Sequence, residues 1–249
     1  MNREKKPLLQ TIGQEMTITT HGFDDIPEGP NVFVANHACM RDIFATPASL
    51  PEGCDIVISS RLAYKNSSVR TAVRRLVIEN ALHTIPLEVH GGKEYLEVGL
   101  KMAKQALLDG RSLLIFPEGA YTGSAQVTKG RTGASRILFG ASIGGVKPNL
   151  LPVGIHYEPW PTDLDAYAPQ NEQIHVTLCD PIDYTAAYRD YTASTDHKSR
   201  HRALHAPIDM AMRAIAKATD LPYIDEPIEL WPRKTMILES GEEVPIPDY

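Results

Sequence analysis

The chain lacks the features that mark several large classes of protein. Its 249 residues hold only three cysteines, Cys39, Cys54 and Cys179. An odd number, with no CxxC spacing and no neighbouring His cluster, argues against a disulfide framework or a zinc fold. No run approaches about eighteen consecutive apolar residues, so no segment is expected to span a bilayer. Residues 1 to 16 are polar, carry Lys5 and Lys6, and lack the apolar stretch of a signal peptide. These absences point to a reducing, cytoplasmic setting, with any membrane contact at the surface of its inner face. Positive charge is not in excess either, since 25 basic residues stand against 31 acidic ones for a formal charge of −6. Nucleic-acid binding needs a basic field and is therefore not expected.

What is present is ordinary globular composition, 43% hydrophobic and 22% charged, which speaks against disorder, collagen and coiled coil. At this length the chain can bury a sizeable core. Short β-rich runs alternate with longer segments of helical period, the pattern of an α/β fold with helices flanking a largely parallel sheet. The spacing predicts strands over Asn31 to Ala35, Asp55 to Ser59, Ser112 to Phe116, Leu150 to His156 and Ile174 to Cys179. Thr84 to Val89 is a weaker strand, because Pro86 removes a ladder donor and favours a sheet edge or a bulge. Helices are expected over Glu94 to Leu108 and Thr132 to Ser142. Val69, Ala72, Val73, Leu76 and Val77 share one helical face, as do Leu204, Ile208, Ala211 and Ile215 in a last long helix.

Residues 1 to 219 read as one domain. The remaining residues, 220 to 249, hold five prolines and eight acids against two bases, Arg233 and Lys234, and suit an extended arm with Trp231 and Ile237 as anchors. That arm accounts for the whole net charge, because residues 1 to 219 contain twenty-three of each sign. Within the balanced body, Arg61, Lys65, Arg70, Arg74 and Arg75 form a +5 stretch without an acid. Arg70 and Arg74 share a helical face, with Arg75 beside them. A solvated face is one account, and docking on an anionic membrane or attraction of phosphates is the other.

Two stretches carry chemistry. Asn36-His37-Ala38-Cys39-Met40-Arg41-Asp42 follows the apolar run Val32 to Ala35, so a strand delivers His37 to the end of a sheet. Asp42, at the start of the next helix, can turn back to one imidazole nitrogen and leave the other as a base. Leu114-Ile115-Phe116-Pro117-Glu118-Gly119 is again a strand running into a loop, where Glu118 and nearby N–H groups are expected to face a substrate. Taken singly, each stretch is also explained by a satisfied histidine or a strand-ending turn.

Together they resemble the glycerophospholipid acyltransferase family, the PlsC-like enzymes that acylate 1-acylglycerol-3-phosphate and related acceptors. The NHx4D motif matches at Asn36, His37 and Asp42, and FPEG at Phe116, Pro117, Glu118 and Gly119. Lys129-Gly130 and the small-residue helix from Gly133 look like the continuation, and Leu151 to Ile155 resembles the fourth motif. The resemblance spans about residues 20 to 180. It implies phospholipid synthesis by an enzyme of lipid metabolism, with His37 as general base and Asp42 as its partner. The acyl group would pass from acyl-CoA or acyl carrier protein, as co-substrate, to a hydroxyl of a lipid-like acceptor. Neither a metal nor a permanent cofactor is implied. Asn36, Glu118, Gly119, Lys129 and Arg131 are the expected substrate-binding residues, with oxyanion donors around Glu118 and Gly119.

The match fails in one place. The second motif of the family ends a strand with an Arg for the acceptor's phosphate, whereas Asn80 to His90 contains no Arg or Lys. Arg131 or Arg136 would have to substitute, or the acceptor carries no phosphate. A rival enzyme class leaves its own trace: Gly140-Ala141-Ser142-Ile143-Gly144 fits the nucleophile elbow of a serine esterase, with His90-Gly91-Gly92 as its oxyanion loop. Asp163 or Asp180 followed by His197, His201 or His205 would complete a triad, although a helix end closed by glycines explains the same residues. A silent lipid-binding protein on the acyltransferase fold is a third reading. Cys39, two residues from His37, reads as packing. His21, His83, His156 and His175 read as polar loop or sheet positions.

Overall fold

The computed structural model describes residues 4–50, 53–59, 78, 80–87, 93–164, 171–228, 235–237 and 243–245. Five strands that the hydrophobic pattern marks and a sixth that it marks weakly all form. They are β2 (Asn31–Ala35), β3 (Asp55–Ser59), β4 (His83–Leu87), β5 (Leu113–Ile115), β7 (Asn149–Glu158) and β8 (Gln173–Leu178). With β1 (Thr17–His21) they make a seven-stranded sheet in the order β1-β8-β7-β2-β5-β3-β4. Every pairing is parallel except β7 with β8. Pro86 lies in β4 at the sheet edge, where a missing N–H does no harm.

β2 is central and wholly buried. Its alternation divides the core: Phe33 and Ala35 face one layer, Val32 and Val34 the other. The first layer is completed by α1 (Pro7–Gln14) and α2 (Asp42–Ser49), through Leu9, Ile43 and Phe44. The second holds α3 (Lys93–Leu108), α4 (Gly133–Ile143) and α6 (His197–Thr219). Ile208, Ala211 and Ile215 of α6 are fully enclosed there and Leu204 packs at the margin, so the expected stripe is the packing face. Helices on both faces are what a sheet of near-continuous apolar strands requires.

Several elements go unmarked by the expected pattern, among them β1, α1 and α5 (Thr185–Ala193). β1 reads Thr-Ile-Thr-Thr-His and is mostly exposed at the other edge, so nothing alternates with apolar residues. α1 is one short amphipathic turn pair, and α5 buries none of its residues. The face containing Val69 to Val77 lies outside the described residues, as do Trp231 and the five basic residues from Arg61 to Arg75. Among the described residues no helix is long and apolar enough to cross a membrane.

The start of the C-terminal arm is tied to the body. β9 (Tyr223–Ile224) runs parallel to β6 (Val127–Thr128). The Val127 N–H donates to the Pro222 carbonyl at 3.0 Å and the Lys129 N–H to that of Ile224 at 3.0 Å. β10 (Thr235–Ile237) and β11 (Glu243–Pro245) pair antiparallel with each other.

Candidate active site

The His37 turn begins where β2 stops pairing. Ala35 is the last β2 residue in register with β7, opposite Val153. Asn36 then supplies a side-chain rung: its Oδ1 accepts from the Ile155 N–H at 2.7 Å and its Nδ2 donates to the Ile155 carbonyl at 2.9 Å. The backbone is thereby free to turn while staying fixed to the sheet. Asn36, expected to bind substrate, is 1% exposed and spends both polar atoms of its carboxamide on this rung.

His37 comes next, and its Nδ1 lies 2.9 Å from Asp42 Oδ2. Asp42 is wholly buried at the first turn of α2, where the helix dipole favours negative charge. Its Oδ2 also accepts from the N–H groups of Ala38 at 2.5 Å and Cys39 at 2.9 Å. Its Oδ1 accepts from the Tyr157 hydroxyl. With an acceptor carboxylate opposite, Nδ1 carries the proton, and Nε2 is left with its lone pair. The ring stacks on Phe116 with centroids 4.5 Å apart and meets the edge of Tyr121 at 5.8 Å. Tyr157 gives no sign in the sequence, because its contact with Asp42 spans 115 positions.

The second stretch meets the first through Glu118. Its Oε2 accepts from the His37 backbone N–H at 2.6 Å, and its Oε1 accepts from Thr128 N at 2.7 Å and Thr128 Oγ1 at 2.8 Å. Burial pushes the carboxyl up to about 7, while the donors of Thr128 and His37 pull the other way. Glu118 was expected to face a substrate, yet its side chain is 0% exposed and both oxygens are occupied by the protein. It braces the His37 turn from behind. Gly119 adopts φ +84°, which suits glycine alone at so tight a turn, and its N–H donates to the Phe116 carbonyl at 3.1 Å. That donor is therefore committed to the turn.

The two expected cationic ligands are likewise engaged. Lys129 Nζ lies 3.0 Å from Asp225. Arg131 donates to the Ile228 carbonyl at 2.9 Å and the Glu118 carbonyl at 3.4 Å. Arg136 pairs with Glu97. Strand β4, with Thr84 to Leu87, offers no base at the second-motif position, and residues 88 to 90 lie outside the described set.

The serine-esterase arrangement does not assemble. Ser142 lies inside α4, not on a strand-to-helix turn, and its Oγ donates to the Leu138 carbonyl at 3.0 Å and approaches the Tyr184 hydroxyl at 3.4 Å. Gly144 closes that helix, with its N–H on the Gly140 carbonyl. His197, His201 and His205 form a row on α6, ring against ring at 6.0 and 4.6 Å. His90 to Gly92 lie outside the described residues. Cys39 is enclosed, and burial, reinforced by the Asp42 charge, pushes its thiol up to about 12. It is a packing thiol, not a thiolate nucleophile.

Comparison with known proteins bears on the fold and the family. No curated protein matches the chain significantly. Among solved structures, the 1-acyl-sn-glycerophosphate (LPA) acyltransferase PlsC from Thermotoga maritima superposes with a TM-score of 0.51 at 17% identity. The match covers 84% of this chain and 78% of that one, which is a likeness of fold. A family model described as Acyltransferase matches residues 17–156, from β1 into β7, and so takes in the His37 turn and the Glu118 brace. That span is more than half of the chain, and the chain belongs to the Acyltransferase family.

Proposed function

We propose that the protein moves a fatty acyl group from a thioester, acyl-CoA or acyl carrier protein, to a hydroxyl of a lysophospholipid-like acceptor. The observation that carries this reading is the His37–Asp42 pair, with Nδ1 bound and Nε2 left as the base. Nε2 takes the acceptor's proton as its oxygen attacks the thioester carbonyl. Asp42 holds the tautomer and stabilises the imidazolium. When the tetrahedral intermediate collapses, the C–S bond breaks and the thiolate recovers the proton from Nε2. No covalent enzyme intermediate is formed.

The solved neighbour is an LPA acyltransferase, so lysophosphatidate is the first acceptor to try. Acyl transfer is better supported than a phosphate on the acceptor, because Lys129 and Arg131 are engaged by the arm and the Glu118 carbonyl. Peripheral contact with an anionic membrane through Arg70, Arg74 and Arg75 belongs to the same reading. Reversing those three to Glu should weaken binding to anionic vesicles, and unchanged binding would remove that element.

The decisive assay offers acyl-CoA and acyl carrier protein donors to phosphorylated and unphosphorylated acceptors. His37→Ala should lower the rate by about 10² to 10⁴. Full turnover by His37→Ala, or acyl-donor binding without thiol release in the parent, would sink the assignment, the second outcome leaving a lipid-binding protein.

A further inference from the structure

Helix α6 opens on a regular series of histidines that lies apart from the His37 turn. His197, His201 and His205 are spaced four residues apart, so they stand one above another on one helix face. His197 and His201 are exposed and His205 is half-buried. The rings are not evenly related. Those of His197 and His201 are nearly parallel with centroids 6.0 Å apart, whereas those of His201 and His205 meet at 62° with centroids 4.6 Å apart. A metal–N bond of about 2.0 Å puts an imidazole centroid about 3.2 Å from the ion, so the closer pair corresponds to an angle of about 90° at a shared ion. That is the angle between neighbouring ligands of a tetragonal or octahedral ion.

The surroundings of His205 point the same way. Its Nδ1 is buried and has no hydrogen-bond partner among the described residues, and the same holds for Asp209 Oδ1. Asp209 stands one turn further along the helix, and its charge reaches the His205 ring. A buried donor and a buried acceptor left apart are costly. A ligating imidazole resolves exactly this need, since it carries its proton on the nitrogen away from the ion and donates it to a carboxylate or carbonyl. Nε2 of His205 is then the ligating atom. The Lys129 charge also reaches this ring, but Lys129 is itself paired with Asp225 at 3.0 Å. Pro207 lies inside α6 and has no N–H, so the Ala203 carbonyl lacks its helical donor. An ion held by His201 and His205 would span that weakened turn.

We propose that His201 and His205 chelate one divalent transition-metal ion on α6, with Asp209 as the residue that positions the His205 ring. Among the described residues no three ligating side chains converge, so the protein supplies two imidazoles and water supplies the remaining ligands. Imidazole selects Ni²⁺, Cu²⁺ or Zn²⁺ over Mg²⁺ and Ca²⁺, which take oxygen. The site is independent of the reading of His37 as a base and adds to a family resemblance that implies no metal.

The full-length chain, free of any affinity tag, is titrated with NiCl₂ in a calorimeter. One ion should bind per chain. His201→Gln and His205→Gln should each lower the affinity by about tenfold or more, whereas His197→Gln and His37→Ala should keep it. Saturating Ni²⁺ should raise the Tm of the parent and not that of His201→Gln, and equal Tm values without metal confirm that the variant folds. MgCl₂ should give no binding heat. Asp209→Asn should weaken binding by about tenfold. With diamagnetic Zn²⁺, imidazole ¹⁵N spectra should show His205 ligated through Nε2 with its proton on Nδ1, and ligation through Nδ1 rejects the positioning role of Asp209. No binding in the parent, or an affinity that survives the double variant of His201 and His205, overturns the site. Loss of binding in His37→Ala would place the ion on that imidazole and overturn it equally.

Discussion

The Tyr157 hydroxyl donates to Asp42 Oδ1, the carboxylate oxygen that His37 does not use. The Asp42 carboxylate is thus fixed from both sides, by its own turn and by the neighbouring strand β7. Removing that donor in Tyr157→Phe should cost about 1.5 to 3 kcal/mol, the range for a hydrogen bond to a charged group. It should also reduce kcat more than it changes KM, since the ring remains and the substrate face is untouched. Urea melts together with steady-state kinetics measure both, and an unaltered kcat would show that Oδ2 alone orients the base.

Glu118 gives stability a dependence on pH. Its folded carboxyl titrates near 7 against an ordinary value of 4.5, so between those values the native state holds a proton that the unfolded state has released. Stability contributed by this group therefore falls as pH rises from about 4.5 to about 7, by on the order of 3 kcal/mol, and is level above that. Glu118→Gln should flatten this slope. It should also weaken the bond to the His37 N–H, because an amide offers one acceptor oxygen for two sites. Unfolding free energies at several pH values give the comparison, and an equal slope in both proteins would place the titration elsewhere.

Much of this arrangement was legible in the sequence, and the remainder was not for identifiable reasons. β2, β5 and β7 are apolar runs, and His37, Asp42 and Glu118 follow from motif order. Motif order does not say where a side chain points. Asn36 and Glu118, inside the motifs, and Arg131, shortly after them, look like substrate ligands, yet each satisfies a backbone group of the protein itself. Tyr157, Thr128 and the buried Arg41–Glu172 ion pair act through contacts distant in sequence or across strands, which no local pattern encodes.

Ser142 provides a control. Ser142→Ala loses hydrogen bonds within α4 and to Tyr184, a change worth under about 1 kcal/mol. Thiol release should proceed as in the parent, while loss of activity in this variant with His37→Ala still active would favour the esterase reading.

The arm should divide at Ile228. Residues 222 to 228 bond to Val127, Lys129 and Arg131. Truncation after Ile228 keeps these contacts and should leave Tm within a few degrees. Truncation after Asp220 removes several hydrogen bonds at about 1 kcal/mol each, and should lower Tm by roughly 5 to 10 °C. Equal melting of the two forms would show that β9 adds nothing to the body.

The side-chain rung of Asn36 has a consequence for observation. The Ile155 amide donates to a carboxamide 119 positions away, not to a backbone carbonyl of a strand, and its protection from solvent exchange should depend on that bond. Its deuterium uptake reports whether the turn bearing His37 is seated, without any substrate and without any turnover. A single backbone resonance in the middle of β7 thereby becomes a gauge of how often the His37 imidazole leaves its place.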